Sequence, residues 1–347
     1  MSLNRTNSLE IDTEVTNDFK SIDQTSTPST ASTTPFSPTF GKKLPFDERY
    51  KRDIFSILGK ITHVNFDKLF KKLINLKTDK EEPENPEDPD GKKKEIVSIY
   101  EDEKIIEFLA SSLVNKSFNS LTSATNISHK DMGYTNIQKM AQILFDEKNN
   151  VNMPKIYASL SKKISDNFSE NEEDEKVELF QDSIIKYFEE GFEIDRIEKI
   201  TSLSYLTDND DRENEITQFK KKNYRLITFL SYLYTEGLFP YSPIVKYLSE
   251  LIELDDEVQD LDELNLGIGI ILFSGQKLKN DLDEKITKAK NKGKNFDKFL
   301  ILEKIIDKFK NTKDNMDFRY KDRIEGLVYL YENNWEIKVK SPTKRKK

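Results

Sequence analysis

The sequence predicts an all-α fold in which antiparallel helix pairs stack into a solenoid. Apolar residues recur at three- and four-residue spacing through most of the chain after residue 44, and no segment shows a convincing two-residue alternation. The clearest pair spans residues 220–254, where Gly237 and Pro240 separate two amphipathic stretches. Neither helix can bury its apolar face alone, so each pair is expected to pack on another pair.

Composition restricts the classes of function. The chain has 347 residues, of which 35% are hydrophobic and 34% are charged, so we expect a modest core with disordered arms. It has no cysteine, which excludes disulfides and thiolate zinc sites. The net charge of −8 argues against a protein that coats nucleic acid uniformly. The longest apolar run, LGIGIILF, is too short to cross a bilayer, and the N-terminus lacks a secretory signal, so we expect a soluble, cytoplasmic protein.

Three regions differ in composition. Residues 1–46 are rich in Ser, Thr and Pro and have too few apolar residues to offset the entropy of ordering, which predicts a disordered arm. Residues 47–335 carry the helical spacing and are expected to form one helical domain. Residues 336–347 form a basic tail that ends in KRKK.

The helical domain opens with two amphipathic stretches, at 54–61 and 66–76, and Asn65 is a candidate N-cap of the second helix. Residues 78–94 contain three prolines and no apolar residue, which predicts a disordered internal loop, and residues 95–135 form an extra segment. The polar stretch DNDDRENE is expected to be a linker. Further helices are predicted at residues 95–115, 136–146, 154–164, 177–191, 194–200, 220–236, 242–254, 261–275, 279–290, 296–311 and 318–333.

The helix pairs recur about every 40 residues, the period of HEAT-type repeats. Four segments resemble, in order, the middle domain of eukaryotic translation initiation factor 4G, a HEAT-type fold of about five antiparallel helix pairs. They are ILGKITHVNFDKLFKKL (57–73), IQKMAQILFDEKNNVNMPKIYASLSKKIS (137–165), YRLITFLSYLYTEGLF (224–239) and FRYKDRIEGLVYLYENNW (318–335). The resemblance spans residues 54–335 and implies a HEAT-type α-solenoid, although the insertion at 78–135 has no clear counterpart in the family.

No convergent set of titratable groups marks an active site. The only two histidines, His63 and His129, lie in predicted polar turns. Gly267, Gly269 and Gly275 lack the strand and the spacing of a dinucleotide-binding loop, and we expect them to let two helices pack closely. We therefore predict a protein that is not an enzyme and has no catalytic residue, no cofactor and no metal site.

The resemblance implies a DEAD-box RNA helicase, similar to initiation factor 4A, as the main partner. The candidate helicase contacts are Leu58, Ile61 and Phe66 at one end of the solenoid, with Arg319 and Lys321 near the other. A scaffold that bridges both lobes would favour the closed, ATP-competent helicase through differential binding. In the alternative interpretation, the three apolar side chains belong to the core.

A second candidate site lies in the segment DERYKRDIFSI. It resembles the short peptide that binds the cap-binding factor 4E as a helix in a groove, with Tyr50, Ile54 and Phe55 as its candidate contacts. Ser56 is polar where the motif expects an apolar residue, and in the family the motif lies well upstream of the middle domain. The alternative is an ordinary apolar stripe of the first helix.

Basic clusters supply a third candidate site, for RNA. Clustered Lys and Arg attract phosphate in a salt-dependent way, and Tyr224 and Tyr320 are placed to stack on bases. The tail also reads as a nuclear-localisation signal, which makes the nucleus an alternative compartment. For the internal cluster, the alternative is a solvated helix face. The candidate RNA contacts are Lys220, Lys221, Lys222, Arg225, Lys344, Arg345, Lys346 and Lys347.

The sequence thus predicts a translation initiation scaffold that binds and stimulates an initiation factor 4A-like helicase and contacts RNA. The cap-binding factor 4E is a further candidate partner, and we expect a monomer within a multiprotein complex, without a membrane. One alternative is a nuclear RNA-processing scaffold of the same fold, acting in splicing, nonsense-mediated decay or ribosome assembly with a different DEAD-box helicase. Another is a hydrolase whose site is hidden by divergence.

Overall fold

The computed structural model describes residues 46–80, 95–119, 135–150, 152–192, 209–253 and 261–337. The helices are α1 (Phe46–Leu58), α2 (Phe66–Ile74), α3 (Glu103–Asn119), α4 (Asn136–Asn149), α5 (Met153–Glu170), α6 (Asp174–Gly191), α7 (Asn209–Thr235), α8 (Ser242–Glu253), α9 (Leu261–Asn291), α10 (Ile301–Thr312) and α11 (Phe318–Glu332). The predicted all-α fold class is confirmed. The predicted arm up to residue 45, the tail from residue 338 and the short helix at 194–200 lie outside the described residues.

A two-stranded antiparallel hairpin is the only β-structure within the described part of the chain. Strand β1 (Lys77–Lys80) pairs with strand β2 (Glu95–Ser98), so that Lys77 lies opposite Ser98 and Lys80 opposite Glu95. Three residues of the predicted loop, 78–80, therefore belong to β1, and the helix predicted from residue 95 begins only at Glu103. Four-residue strands are too short to show a clear alternation, which is why the sequence pattern missed them.

Two predicted helix boundaries are wrong. The polar stretch at residues 208–215 is no linker, because α7 already begins at Asn209 and continues for 27 residues. The predicted break between residues 275 and 279 is absent, and α9 runs unbroken for 31 residues. Gln276, Lys277 and Leu278 favour helix, and the buried Leu278 anchors the second half of α9 to the core. A single glycine before them does not stop the helix.

The predicted stop signal acts where expected, and the cap of α5 is a feature that the sequence analysis did not identify. Gly237 adopts a left-handed conformation with φ of 82°, and the N–H of Leu238 donates to the carbonyl of Leu233 over 3.0 Å, which closes α7. Asn152 caps α5 by accepting from the N–H of Lys155 over 2.9 Å, with Pro154 in the first turn. Asn65 does not cap α2; its side chain accepts instead from the N–H of Thr62.

Helix α7 lies at the centre of the packing. Every residue from Leu226 to Tyr234 is buried, so this part of α7 has no solvent-facing side. It packs on α9, α5 and α3, and α3 in turn packs on α6. Helix α8, predicted to fold back on α7, packs mainly on α10 and α9. Because α3, α5 and α9 enclose α7, the next helix in the sequence, α8, is not its principal packing partner.

Helices α4 and α11 form one of the most extensive helix contacts, although they are far apart in the chain. The side-chain amide of Gln138 lies 3.5 Å from the hydroxyl of Tyr329, and Arg323 lies 3.4 Å from Glu147. As the residue numbers on α4 rise while those on α11 fall, the two helices are antiparallel. In a simple solenoid each repeat contacts only its neighbours in the chain. The contact between α4 and α11 joins helices far apart in the chain, so a simple stack does not account for it.

Close approach at α9 confirms the predicted role of its glycines. A Cβ atom on Gly275 would lie 2.5 Å from Cζ2 of Trp335, and one on Gly269 would lie 2.9 Å from Cε2 of Tyr224. Both distances are too short for a side chain, so glycine lets the two rings approach the helix closely. None of the described helices combines the length and the apolar character that a bilayer crossing requires.

Candidate interaction surfaces

The candidate contacts for a cap-binding factor are mostly in the core. Tyr50 is 7% exposed and Ile54 is fully buried, because both lie on the side of α1 that packs on the rest of the domain. Neither can enter a groove of another protein while α1 stays packed, which corrects this prediction in favour of the ordinary apolar stripe. Phe55, next along the helix, points outward and is 42% exposed.

Two of the candidate helicase contacts are also in the core. Leu58 is fully buried and Ile61 is 2% exposed. The hydroxyl of Tyr157 donates to the carbonyl of Leu58 over 3.0 Å, which ties the end of α1 to α5. The prediction that Leu58 and Ile61 contact a helicase is therefore corrected. Helical spacing alone cannot distinguish apolar residues that face the core from those that face a partner. Phe66 is half-buried and keeps part of its ring accessible.

An aromatic pair, formed by the exposed Phe55 and the partly buried Phe108, lies beside these core residues. The rings of Phe55 and Phe108 meet edge-to-face with centroids 5.2 Å apart. The ammonium nitrogen of Lys51 lies 5.6 Å from the centre of the Phe108 ring, and that of Lys116 lies 5.6 Å from the Phe55 ring. We call these four side chains the α1–α3 surface. It combines apolar area with two positive charges, which suits a partner that presents both apolar and acidic side chains.

A related arrangement lies on α2. Lys163 of α5 is placed 5.1 Å from the ring centre of Phe66 and 5.5 Å from that of Phe70. The same lysine pairs with Asp67, and its hydrogen bond and charge lower the pKa of this carboxyl below its ordinary value. Val64, two residues before α2, is 82% exposed. This ion pair neutralises Lys163, whereas Lys51 and Lys116 have no such pair among the residues that the structure describes.

The predicted basic RNA site on α7 is only partly available. Lys220 and Lys221 are exposed, whereas Lys222 lies 5.0 Å from the ring centre of Phe118. Arg225 donates to the carbonyl of Phe118 over 2.9 Å, and burial lowers the pKa of its guanidinium. Its positive charge at the end of α3 complements the helix dipole. The remaining RNA candidates, 344–347, lie outside the described residues.

The predicted contacts on α11 lie on a different part of the domain. Arg319 is exposed beside Phe318, which is 66% exposed, while Lys321 pairs with Asp314 over 2.8 Å. Helix α11 packs on α4, α9 and α10, whereas α1 packs on α2 and α3. The described contacts therefore do not bring the two sets of candidate helicase contacts together.

Tyr224, expected to stack on bases, is part of an interhelix network. Its hydroxyl donates to Glu147 over 2.7 Å and lies 3.3 Å from a guanidinium nitrogen of Arg323. Burial raises the pKa of Tyr224, and the negative charge of Glu147 adds to the increase. Its ring lies against Gly269, so it is not free to bind a base. The network joins α4, α7 and α11.

Sequence reasoning missed Lys148, near the end of α4. Its ammonium group lies 5.6 Å from the centre of the Trp335 ring and donates to the amide oxygen of Gln276 over 3.2 Å. Burial lowers the pKa of Lys148 to about 8, and the positive charge of Lys155 adds to the decrease. No pattern in the sequence indicates that this lysine is partly buried over an aromatic ring.

Replacing Lys148 by Met is expected to stabilise the protein at neutral pH, because the folded state then no longer buries this charge. The unfolded chain keeps the proton of Lys148 up to about pH 10.4. The unfolded state therefore binds more protons between the two pKa values, and the stability of the wild type rises with pH there. The difference in melting temperature between variant and wild type should shrink from about pH 8 to about pH 10. A difference that does not change with pH would contradict this assignment.

Comparison with known proteins yields matches among solved structures. No family model matches the chain, and no curated protein matches it. The crystal structure of the MIF4G domain of Trypanosoma cruzi translation initiation factor EIF4G5 aligns with 83% of this chain and 97% of that chain, at 16% identity and a TM-score of 0.44. The fold assignment rests on the helices and contacts described above.

Proposed function

We propose that this chain is a non-catalytic helical scaffold of translation initiation that binds an initiation factor 4A-like DEAD-box helicase. The observation that carries the proposal is the α1–α3 surface, where the exposed Phe55 and the partly buried Phe108 meet and two lysines without an ion pair among the described residues lie over the rings. It lies at the end of the domain where the family resemblance expects helicase contact. The four segments that resemble the middle domain of initiation factor 4G support it, since each lies mainly in helices.

The mechanism is positioning without covalent chemistry. A rigid helical platform that binds both lobes of a helicase favours the closed state by as much as its affinity for that state exceeds its affinity for the open one. Among the described residues, no group of His, Asp and Glu side chains is arranged to hold a metal ion. Phe55 replaces Leu58 and Ile61 as the main contact in this proposal, and Phe66 and Arg319 stay as secondary contacts.

RNA contact is the second part of the proposal. Lys220 and Lys221 on the exposed side of α7, together with the basic tail, would attract the RNA backbone without reading its sequence. A scaffold that holds both RNA and helicase raises the local concentration of substrate at the motor. The cap-binding factor is not part of this proposal, because Tyr50 and Ile54 are committed to the core.

Replacing Phe55 by Glu in the full chain is expected to weaken capture of a purified initiation factor 4A-like helicase by about 10-fold or more, as expected for a central aromatic contact. Stimulation of the RNA-dependent ATPase should fall in parallel. Ile143→Glu is the matched control, since Ile143 is also 42% exposed but lies on α4. It should bind as the wild type does.

Equal binding by the Phe55 and Ile143 variants would contradict the proposed contact. A purified splicing-type DEAD-box helicase, tested in the same assay, distinguishes the main alternative. Selective stimulation of that enzyme would favour the nuclear RNA-processing scaffold, which the KRKK tail also suits. If neither helicase is bound or stimulated, the scaffold function proposed here is wrong.

A further inference from the structure

The polypeptide that leads into the basic tail is anchored beside the end of α11. Trp335 is 3% exposed, and its ring meets that of Tyr331 with centroids 5.8 Å apart. Lys279 of α9 lies 4.9 Å from the centre of the Tyr331 ring and donates to the side-chain oxygen of Asn334 over 2.9 Å. These contacts fix the start of the tail against α9 and α11.

Carboxylates from three helices surround Tyr331. A spacing of four residues places Asp283 on the side of α9 that carries Lys279. Glu332 of α11 pairs with Lys310 of α10 over 2.9 Å. Burial raises the pKa of Tyr331 to about 12, and four negative side chains add to the increase. These side chains, which we call the acidic face, are Asp283, Glu303, Asp307 and Glu332.

Much of this negative charge has no ion pair within the described part of the chain. Asp283 and Asp307 are exposed, and no lysine or arginine of the described residues pairs with either. Lys308, next to Asp307, donates instead to the carbonyl of Ile252 over 3.0 Å, so it points towards α8. One carboxylate oxygen of Glu303 is buried and has no hydrogen-bond partner. Such an oxygen is costly, so the acidic face favours an additional positive group placed against it.

The residues that follow in the sequence carry positive charge. Residues 338–347, KVKSPTKRKK, contain six Lys and Arg and no Asp or Glu. The net charge of the whole chain is −8, so the other residues together carry −14. The tail is therefore a positive segment on a negative protein, and it starts beside a cluster of carboxylates that lack ion pairs.

We propose that residues 338–347 bind the acidic face of their own chain. Ten residues reach about 33 Å when extended, whereas Trp335, three residues before the tail, already touches the ring that the acidic face surrounds. Binding within one chain acts at an effective concentration in the mM range, so several weak surface ion pairs are sufficient. The contact is reversible and is weakened by salt.

This self-contact goes beyond the proposed function and does not depend on a helicase. It rests on the proposed function in one consequence only, which concerns RNA. Lysines that are held against carboxylates are not available to phosphate, so RNA and the acidic face compete for the tail. The acidic face is thus an autoinhibitory site that keeps the tail from binding other anions weakly and without selection.

Chemical cross-linking detects the contact directly, because a carbodiimide joins a lysine to a carboxylate without a spacer. In the full chain at low salt, mass spectrometry should find tail lysines joined to Asp283 or Asp307. Salt at about 1 M, where charges are screened beyond about 3 Å, should remove these cross-links. If tail lysines are not joined to the acidic face at low salt, the proposal is wrong.

Isotope labelling distinguishes the chain's own tail from that of a second copy. In an equal mixture of ¹⁴N-labelled and ¹⁵N-labelled chains, each cross-link should join two peptides that carry the same isotope. Mixed pairs in the proportion expected for random association would show that the tail binds another molecule, which would overturn the self-contact.

A charge variant tests the same contact without chemical modification. Asp283→Asn with Asp307→Asn removes two exposed charges from the acidic face, and Glu178→Gln with Asp182→Asn, also exposed but on α6, is the matched control. Trypsin removes the tail at a rate that follows the population of the undocked form. At low salt the acidic-face variant should lose its tail about 5-fold faster than the wild type, and the control at the wild-type rate. Equal rates for the two variants would contradict the proposal.

The affinity of these variants for an oligouridine separates this inference from the proposed function. Faster loss of the tail together with tighter oligouridine binding by the acidic-face variant is expected, because the freed lysines attract phosphate. Faster loss with unchanged oligouridine affinity would contradict the RNA contact of the tail and support the self-contact. An unchanged rate of loss with intact helicase capture would overturn the self-contact alone.

Discussion

Replacing Leu58 by Asp is expected to destabilise the protein by about 4 kcal/mol or more. Leu58 is fully buried at the end of α1, and its carbonyl accepts from Tyr157 of α5. The variant would lose the packing of a large apolar side chain and place a carboxylate in the apolar core. A loss of this size is a large part of the stability of an ordinary domain.

Chemical denaturation followed by circular dichroism measures this effect. Phe55→Asp is the matched control, three residues away in the same helix, and should change stability by less than about 1 kcal/mol because Phe55 is exposed. Comparable stabilities for the two variants would show that Leu58 is not the core residue described here. Because Leu58→Asp is expected to destabilise the whole domain, a loss of helicase binding in this variant would not show that Leu58 contacts the helicase.

Replacing Gly326 by Val is expected to destabilise the protein by about 3 kcal/mol. A Cβ atom at this position would lie 2.8 Å from Cγ of Met140 and 3.1 Å from the backbone nitrogen of Ala141. The backbone of α4 cannot move aside as a flexible side chain can, so the two helices would have to separate. Val adds two further methyl groups to that clash.

Intrinsic helix propensity predicts the opposite sign for this change, since valine is a better helix former than glycine. The measured free energy of unfolding therefore decides between a close α4–α11 contact and an α11 that packs loosely. Asp322→Val, at an exposed position of the same helix, controls for the branched side chain and should be nearly neutral. An increase in stability for Gly326→Val would show that α11 does not pack closely on α4.

The α4–α11 contact bears on how the proposed scaffold could bind two lobes of a helicase. It connects segments 191 residues apart, through Gln138 and Tyr329, and the Glu147–Tyr224–Arg323 network lies beside it. Such a connection restricts relative motion of the helices that it joins. A stiff platform loses less conformational freedom on binding, so more of the contact energy is available to select the closed state of a partner.

The candidate site could be predicted from the sequence only in part. The resemblance and the helical spacing directed attention to the segment from Tyr50 to Phe66, and an exposed aromatic surface does lie there. Which of its apolar residues face outward could not be predicted, because α1 carries both a core stripe and Phe55. The packing of α1 on α2 and α3 determines which of its residues are buried.

The sequence by itself determined the features that depend on nearby residues. The helical class, the end of α7 at Gly237 and the glycines of α9 that allow close packing all follow from spacing and local backbone chemistry. Tertiary structure alone decided the burial of Leu58, the pairing of α4 with α11 and the position of Lys148 over the ring of Trp335. These depend on contacts such as that between Lys148 and Gln276, 128 residues apart, and no local pattern encodes which distant surface will cover a given side chain.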